Sequence, residues 1–474
     1  MHHQQGRYRE KRSADVDLPG TKERHAGLTT RATVRRLAFA AAAALAASAC
    51  SSGADTEHTA LVPFSLHAAA VAPDPAVPIG KYIKHVVIIV QENRTLNSFF
   101  AGYPGADTVM TGYSTGGVQV ALKAVTFDGP DINHEWTAAM ADWDKGKMDG
   151  FDRSLAYGYM QRGLVAPYWS MAKQYVLADH MFPTEFGPSF TAHLDLIAST
   201  ANLTPSEAEV DVPDGDWRCN AAAGTRTSLI TSTRVYEALA GPFPCFTQFN
   251  TMAQVLDKAH VSWKYYAPAA VNQLSWSAFD TIKYVWDGPD WRADVVSPQT
   301  AFLKAAAQGN LAGVTWIVPD FIDSDHAGSM SDTGPSWVSA IVNTIGKSSN
   351  WGSTAIVVVW DDWGGWYDNV PPPQKDFAGL GIRVPCLIIS PYSKNGAVVH
   401  TQYEFGSILK FVEQTFSLPP IGNPAFGYTD SRSNSLVDSF NFTQKPRAYV
   451  KIPAKYPISH FLNEKPSNRL PDDI

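Results

Sequence analysis

The 474-residue chain is poor in charge. Lys, Arg, Asp and Glu make up 18% of it, against about 25% in an average soluble protein, which points to a large buried core. Its four cysteines are too few for a disulfide scaffold. It lacks a basic excess: the formal net charge is −7, whereas a general nucleic-acid binder needs a basic footprint, so no nucleic-acid partner is expected. Gly and Pro, 34 and 32 residues, are near average usage, which excludes collagen-like and low-complexity chains. No internal repeat is seen. The 45% apolar content excludes a disordered chain, which could not offset its ordering entropy.

The charge is unevenly spread. Residues 1–49 hold nine Lys/Arg against four Asp/Glu, a net of +5, so the remaining residues carry −12. The basic start runs into the apolar stretch Leu37 to Ala49, which is shorter than the ~20 residues of a spanning helix. A basic, then apolar, then small-residue layout predicts an export signal over residues 1–49, and Arg35-Arg36 fits the twin-arginine type. Ala47-Ser48-Ala49-Cys50 is similar to a lipoprotein cleavage box, with Ala47 in place of the usual Leu and Cys50 as the lipid-bearing residue. The expected location is therefore exported: periplasmic, anchored to the outer membrane through Cys50, or secreted. In an oxidising compartment Cys219 and Cys245 are free to pair. Cys386 sits in an apolar run and reads as an inert core thiol.

Residues 50–80, rich in Ala, Pro and Ser, read as a linker. Four apolar runs follow: Ile83 to Val90, Val314 to Val318, Thr354 to Trp360 and Val384 to Ser390. Continuous rather than alternating runs suit strands buried on both faces. Trp337, Ile341, Val342 and Ile345 share one face of a helix ending near Gly346. Strands alternating with helices predict an α/β fold, a mostly parallel central sheet with helices on both faces. An aromatic-rich insertion is expected at about 201–300, within a catalytic domain spanning 81–440. The Pro-rich tail over 441–474 is expected to wrap the surface.

Ligands of open α/β sheets bind beyond the carboxyl ends of the strands. Glu92 and Asn93 follow the first run, Asp361 and Asp362 the third, and Asp320, Asp323, Asp325 and His326 the second. Any one such cluster is ordinary loop solvation. Together they crowd carboxylates that repel unless a cation neutralises them, and the donor types suit Ca²⁺, Mg²⁺, Mn²⁺ or Zn²⁺. Pro188 and Ser189 precede the helical pattern Phe190, Leu194, Ile197 and Ala198. Ser189 is either a helix cap or a hydroxyl poised for phosphoryl attack. His134 is either a loop histidine or a donor to phosphate.

In this order the motifs resemble the bacterial phosphoesterase family of phospholipases C and acid phosphatases. The matching blocks are Ile83-Lys84-His85-Val86-Val87, Glu92-Asn93-Arg94-Thr95, His134, Met148-Asp149-Gly150-Phe151, Tyr168-Trp169 and Ala178-Asp179. They continue through Gly187-Pro188-Ser189, Trp316-Ile317-Val318-Pro319, Asp325-His326, Trp360 to Asp368, Arg383-Val384-Pro385 and Ile389-Ser390-Pro391. The resemblance covers roughly residues 81–420 and implies an alkaline-phosphatase-like fold. It implies one divalent metal held by Glu92, Asn93, Asp361, Asp362 and Ser189. It also implies Ser189 as the nucleophile, forming a phosphoseryl group, and His134 and His326 as phosphate-contacting catalytic residues; His193 is a candidate for a third. Ser189, Asp362 and Trp363 stand where phospholipases C tend to carry Thr, Glu and His, which is closer to the acid-phosphatase branch. Asn369 replaces a frequent His. The expected activity is thus metal-dependent phosphomonoester hydrolysis. The alternatives are a phospholipase C acting on a phospholipid headgroup and an inactive, ligand-binding surface lipoprotein. The expected partner is a phosphate ester or a phospholipid headgroup, with membrane contact only through Cys50.

Overall fold

The computed structural model describes residues 78–153, 155–211, 218–268 and 276–469. The expected export signal, Cys50 and nearly all of the 50–80 linker lie outside these residues. Among the described residues no helix is long and apolar enough to cross a membrane.

A nine-stranded sheet forms the centre. Its strands in chain order are β1 (His85–Gln91), β2 (Val176–Phe182), β3 (Trp263–Tyr266), β4 (Val295–Val296), β5 (Val314–Ile317), β6 (Thr354–Trp360), β7 (Val384–Ile389), β8 (Ala397–Val399) and β9 (Tyr403–Glu404). They lie in the order β4-β3-β5-β1-β6-β7-β2-β8, and β9 also pairs with β2. Only β7 runs antiparallel to its neighbours, so the fold is the mixed α/β type with a mostly parallel sheet. β1 and β6 are buried almost throughout, as expected of strands covered on both faces.

Five helices bear on the argument: α1 (Leu96–Phe100), α2 (Ala166–Gln174), α3 (Ser189–Ala198), α4 (Gly334–Lys347) and α5 (Phe405–Phe416). Strand register assigns them to faces. Trp316 of β5 aligns with Ile88 of β1, which aligns with Val357 of β6. Trp360, three residues past Val357, points to the opposite face. Trp316 Nε1 donates to the Leu196 carbonyl on α3, 3.0 Å away, whereas Trp360 packs edge-on against Tyr168 of α2. Helices therefore cover both faces.

The stretch expected to form one insertion divides. Asn202–Thr204, Glu207–Asp211, Ser228–Thr231 and Tyr236–Glu237 build a separate four-stranded antiparallel sheet. Trp263–Tyr266 is instead β3 of the central sheet. Aromatic residues pack well on a pleated surface, so the aromatic richness that suggested decoration here builds a core strand. Cys219 and Cys245 form a disulfide. Cys386 is buried in β7, and burial pushes its thiol pKa up. The described part of the tail packs on α4: Asn343 Nδ2 donates to the Ile452 carbonyl, and Phe461 contacts Trp337.

One buried carboxyl on α5 sets a pH dependence. Burial, together with neighbouring Asp430, pushes Glu413 up to about 9 from its ordinary 4.5. Between those values the folded chain keeps a proton that the unfolded chain has lost, so this group makes stability fall as pH rises. Glu413→Gln is expected to flatten that dependence: a higher unfolding midpoint than the parent at pH 8 and little change at pH 4, read by thermal melts at both.

Candidate active site

β1 and β6 are parallel neighbours in register, Gln91 opposite Trp360. Their next residues, Glu92 and Asp361, therefore emerge side by side. The Asp361 N–H donates to the Gln91 carbonyl at 2.9 Å and the Glu92 N–H to the Ser324 carbonyl at 2.8 Å, which brings the loop after β5 to the same rim. The chain then turns sharply. Asn93 adopts φ +61°, a left-handed conformation that Asn tolerates better than most residues, and its N–H donates to Asp361 Oδ1 at 2.7 Å.

Hydrogen bonds orient the Asn93 amide. His134 Nδ1 lies 2.8 Å from the Ile132 carbonyl, which can only accept, so Nδ1 carries the proton. His134 Nε2 is then an acceptor, and Asn93 Nδ2, 2.8 Å away, is its donor. That turns Asn93 Oδ1 toward Ser189, whose Oγ lies 3.4 Å from it and 3.2 Å from Asp362 Oδ2. Ser189 is the first residue of α3; Pro188 occupies the cap position. Its hydroxyl thus faces the carboxylates, and the capping alternative does not describe it.

Glu92, Asn93, Ser189, His134, His326, Asp361 and Asp362 are all buried. His326 packs with its ring centroid 5.7 Å from that of His134, and its Nδ1 contacts the Ala327 carbonyl. Burial, reinforced by His134, pulls His326 down to about 3, so this ring is neutral at ordinary pH. The structure thus brings all seven residues to one rim.

Three further residues join them. His193, one turn beyond Ser189 on α3, places Nε2 3.1 Å from Glu92 Oε1 and 4.0 Å from Asp361 Oδ2. It therefore faces the carboxylates. Burial lowers it to about 4, leaving the ring neutral with nitrogen electrons available to a cation. Asp131 lies 3.8 Å from His134 Nδ1 and 3.9 Å from His326 Nδ1. Only its spacing three residues before His134 hinted at it. Arg94 donates from Nε to the Asp325 carbonyl at 2.8 Å and lies 4.6 Å from the Trp366 ring centroid. Arg94 thereby ties the loop after β5 to the loop after β6.

Among the described residues, three groups of side chains could hold a divalent cation: Glu92, His193 and Asp361; Asp131, His134 and His326; and Asp179, His180 and His400. The first fits a resident metal on two observations. Asp361 Oδ2 is buried without a hydrogen-bond partner. Asp362, adjacent and buried, is pushed well above the carboxylate range by burial and then by Asp361, which is the strain a cation relieves.

Gly364 and Gly365 close the rim at φ +58° and +73°. The Gly364 N–H donates to Asp362 Oδ1 at 2.7 Å. A Cβ at Gly364 would lie 2.3 Å from the Asn93 carbonyl oxygen. Gly364→Ala is therefore expected to cost about tenfold or more in kcat and to lower the melting temperature, since backbone strain of this kind is worth about 1–3 kcal/mol. Gly352→Ala, where a Cβ meets nothing within 4 Å, is the control.

Buried carboxylates at strand ends, a serine hydroxyl held among them and neutral histidines alongside define a hydrolase acting on phosphate esters. The chain belongs to the phosphoesterase family, which it matches over residues 83–419. It is 24% identical to phospholipase C B of Mycobacterium tuberculosis, across 80% of each chain. It is also 24% identical to the hemolytic phospholipase C of Pseudomonas aeruginosa, over 74% of this chain and 55% of that one. A solved structure described as a protein in the alkaline phosphatase superfamily, from Vibrio parahaemolyticus, aligns at a TM-score of 0.34 and 12% identity, over 76% of this chain and 72% of that one.

Proposed function

We propose that the protein hydrolyses phosphate esters by attack of Ser189 Oγ on phosphorus, and that its substrate is a phosphodiester of the phospholipid-headgroup type. The observation that carries the mechanism is the placement of the Ser189 hydroxyl, 3.2 Å from Asp362 Oδ2 and 3.4 Å from Asn93 Oδ1. The hydrogen bond to Asp362 orients the hydroxyl and gives its proton a path out. Glu92, Asn93, Asp361, Asp362 and Ser189 would hold a divalent cation, with His193 as an added nitrogen donor. When bound, the cation neutralises charge on the phosphoryl oxygens and lowers the pKa of the serine hydroxyl.

The P–O bond to the leaving alcohol breaks as Ser189 Oγ bonds to phosphorus, and water then hydrolyses the phosphoseryl group. His134 positions Asn93 through its Nε2 contact. His326, neutral before substrate arrives, takes up a proton as the anion enters and then gives that proton to the leaving oxygen. Burial of every participant excludes bulk water and strengthens these interactions.

The Ser189, Asp362 and Trp363 choices favour a phosphomonoester. The phospholipase C names of the relatives favour the phosphodiester, and that reading is preferred here. p-Nitrophenylphosphorylcholine and p-nitrophenyl phosphate separate the two. The expected result is faster turnover of the choline ester, abolished by a chelator and restored by a divalent metal. Preference for the monoester would reverse the substrate reading. Turnover of neither by the metal-replete protein would leave a ligand-binding role.

A further inference from the structure

We propose that Asp179, His180 and His400, with Asp107 beside them, form a second divalent-cation site, of zinc type, which clips separate chain segments to the β8 end of the central sheet. It shares no residue with the candidate active site.

The strand geometry explains why these side chains meet. Consecutive strand residues normally point to opposite faces. Between β7 and β2, however, Val384 pairs with Met181 and Cys386 with Ala178. Three steps on β2 thus oppose two on β7, a bulge that contains Asp179 and His180. Pro385, opposite the bulge, has no N–H for a regular ladder. Bulges re-aim side chains, and here His180 Nδ1 comes within 2.9 Å of Asp179 Oδ1. On the other side, β8 runs parallel to β2 with Val399 beside Ala178. The next residue, His400, therefore arrives at Asp179, its Nδ1 3.0 and 2.9 Å from the two carboxylate oxygens. Asp107 Oδ2 lies 3.6 Å from His180 Nε2.

The spacing suits a metal. One ligand atom from each of Asp179, His180 and His400 lies within 4.8 Å of the other two. A tetrahedron with ~2.0 Å bonds has edges of about 3.3 Å, a small adjustment from these contacts. Two imidazoles and a carboxylate select Zn²⁺ over Ca²⁺ or Mg²⁺, which take oxygen donors. The frame behind the ligands is built. The Asp179 side chain is fully buried while His400 is 60% exposed, which gives a fixed anchor and an open entry. Asp179 Oδ2 accepts the Asp107 N–H at 2.9 Å. Asn369 Nδ2 donates to Asp107 Oδ1 at 3.1 Å. Arg383 holds the backbone carbonyls of both Asp179 and Asp107. Such outer contacts fix ligand orientation.

The test uses the metal-stripped full chain and Zn²⁺ alone, with bound ions counted by equilibrium dialysis. A Glu92→Gln/Asp361→Asn/Asp131→Asn/His326→Ala variant disables the other two groups that could hold a cation. It is expected to retain one zinc equivalent, and zinc is expected to raise its melting temperature. Adding His400→Ala or, separately, His180→Ala is expected to abolish both the equivalent and the shift. His400→Ala in the otherwise unchanged chain is expected to keep parental turnover, which also shows that the exposed substitution leaves the fold intact. Absence of bound zinc in the disabled variant would overturn the proposal, as would zinc retained after both histidine substitutions.

Discussion

Ser189→Ala is expected to lower kcat by at least about 10³-fold on either nitrophenyl ester while leaving the melting temperature nearly unchanged. Removing an activated nucleophile removes the bond-forming group itself, whereas the surrounding donors still bind the ester, so KM should move far less than kcat. The side chain is small and buried, and its loss leaves only the weak contacts to Asn93 and Asp362 unmade. The measurement is steady-state turnover together with a thermal melt. Activity within tenfold of the parent would mean that Ser189 is not the attacking group.

The largest effect on stability is expected at Arg383. Its side chain is fully buried and paired with Asp368, also fully buried, at 3.0 Å. The same guanidinium donates to the Asp179 and Asp107 carbonyls at 2.8 Å each and to Asn369 Oδ1 at 3.0 Å. Arg383→Met keeps much of the volume but leaves Asp368 as an uncompensated buried carboxylate and several acceptors without a donor. Breaking one partner of a buried pair costs about 3–5 kcal/mol. Denaturant unfolding should read that loss, and Arg383→Met/Asp368→Leu should recover part of it. A variant as stable as the parent would mean that the pair contributes nothing net.

How far the sequence foretells this site depends on whether neighbours in space are also marked in the chain. Glu92, Asn93, Asp361 and Asp362 stand directly after continuous apolar runs, so the strand-end rule exposes them. Ser189 was legible as a helix start, but its direction was not, since capping and catalysis use the same residue types. His193 faces the carboxylates only because α3 begins where it does, which turns a residue four positions on toward Glu92. Strand β2 escaped notice because Asp179 and His180 interrupt its apolar pattern, and the bulge that makes them converge depends on register with β7. Strand β3 was hidden by its aromatics. In each case the missing information was the pairing of distant segments, which no local pattern carries.

The order of strands in the sheet also bears on how the chain is made. β1 leaves the ribosome well before both its neighbours, β5 and β6, which come from residues 314–360. Roughly 270 residues must follow β1 before its second edge can be covered, which at ~5–20 residues per second takes about 15–55 s. For most of that interval, until β5 emerges, an apolar strand with two open edges is a template for wrong pairing. A holding chaperone during synthesis is the expected requirement, and slow translation or early release of the chain should favour aggregation seeded by His85–Gln91.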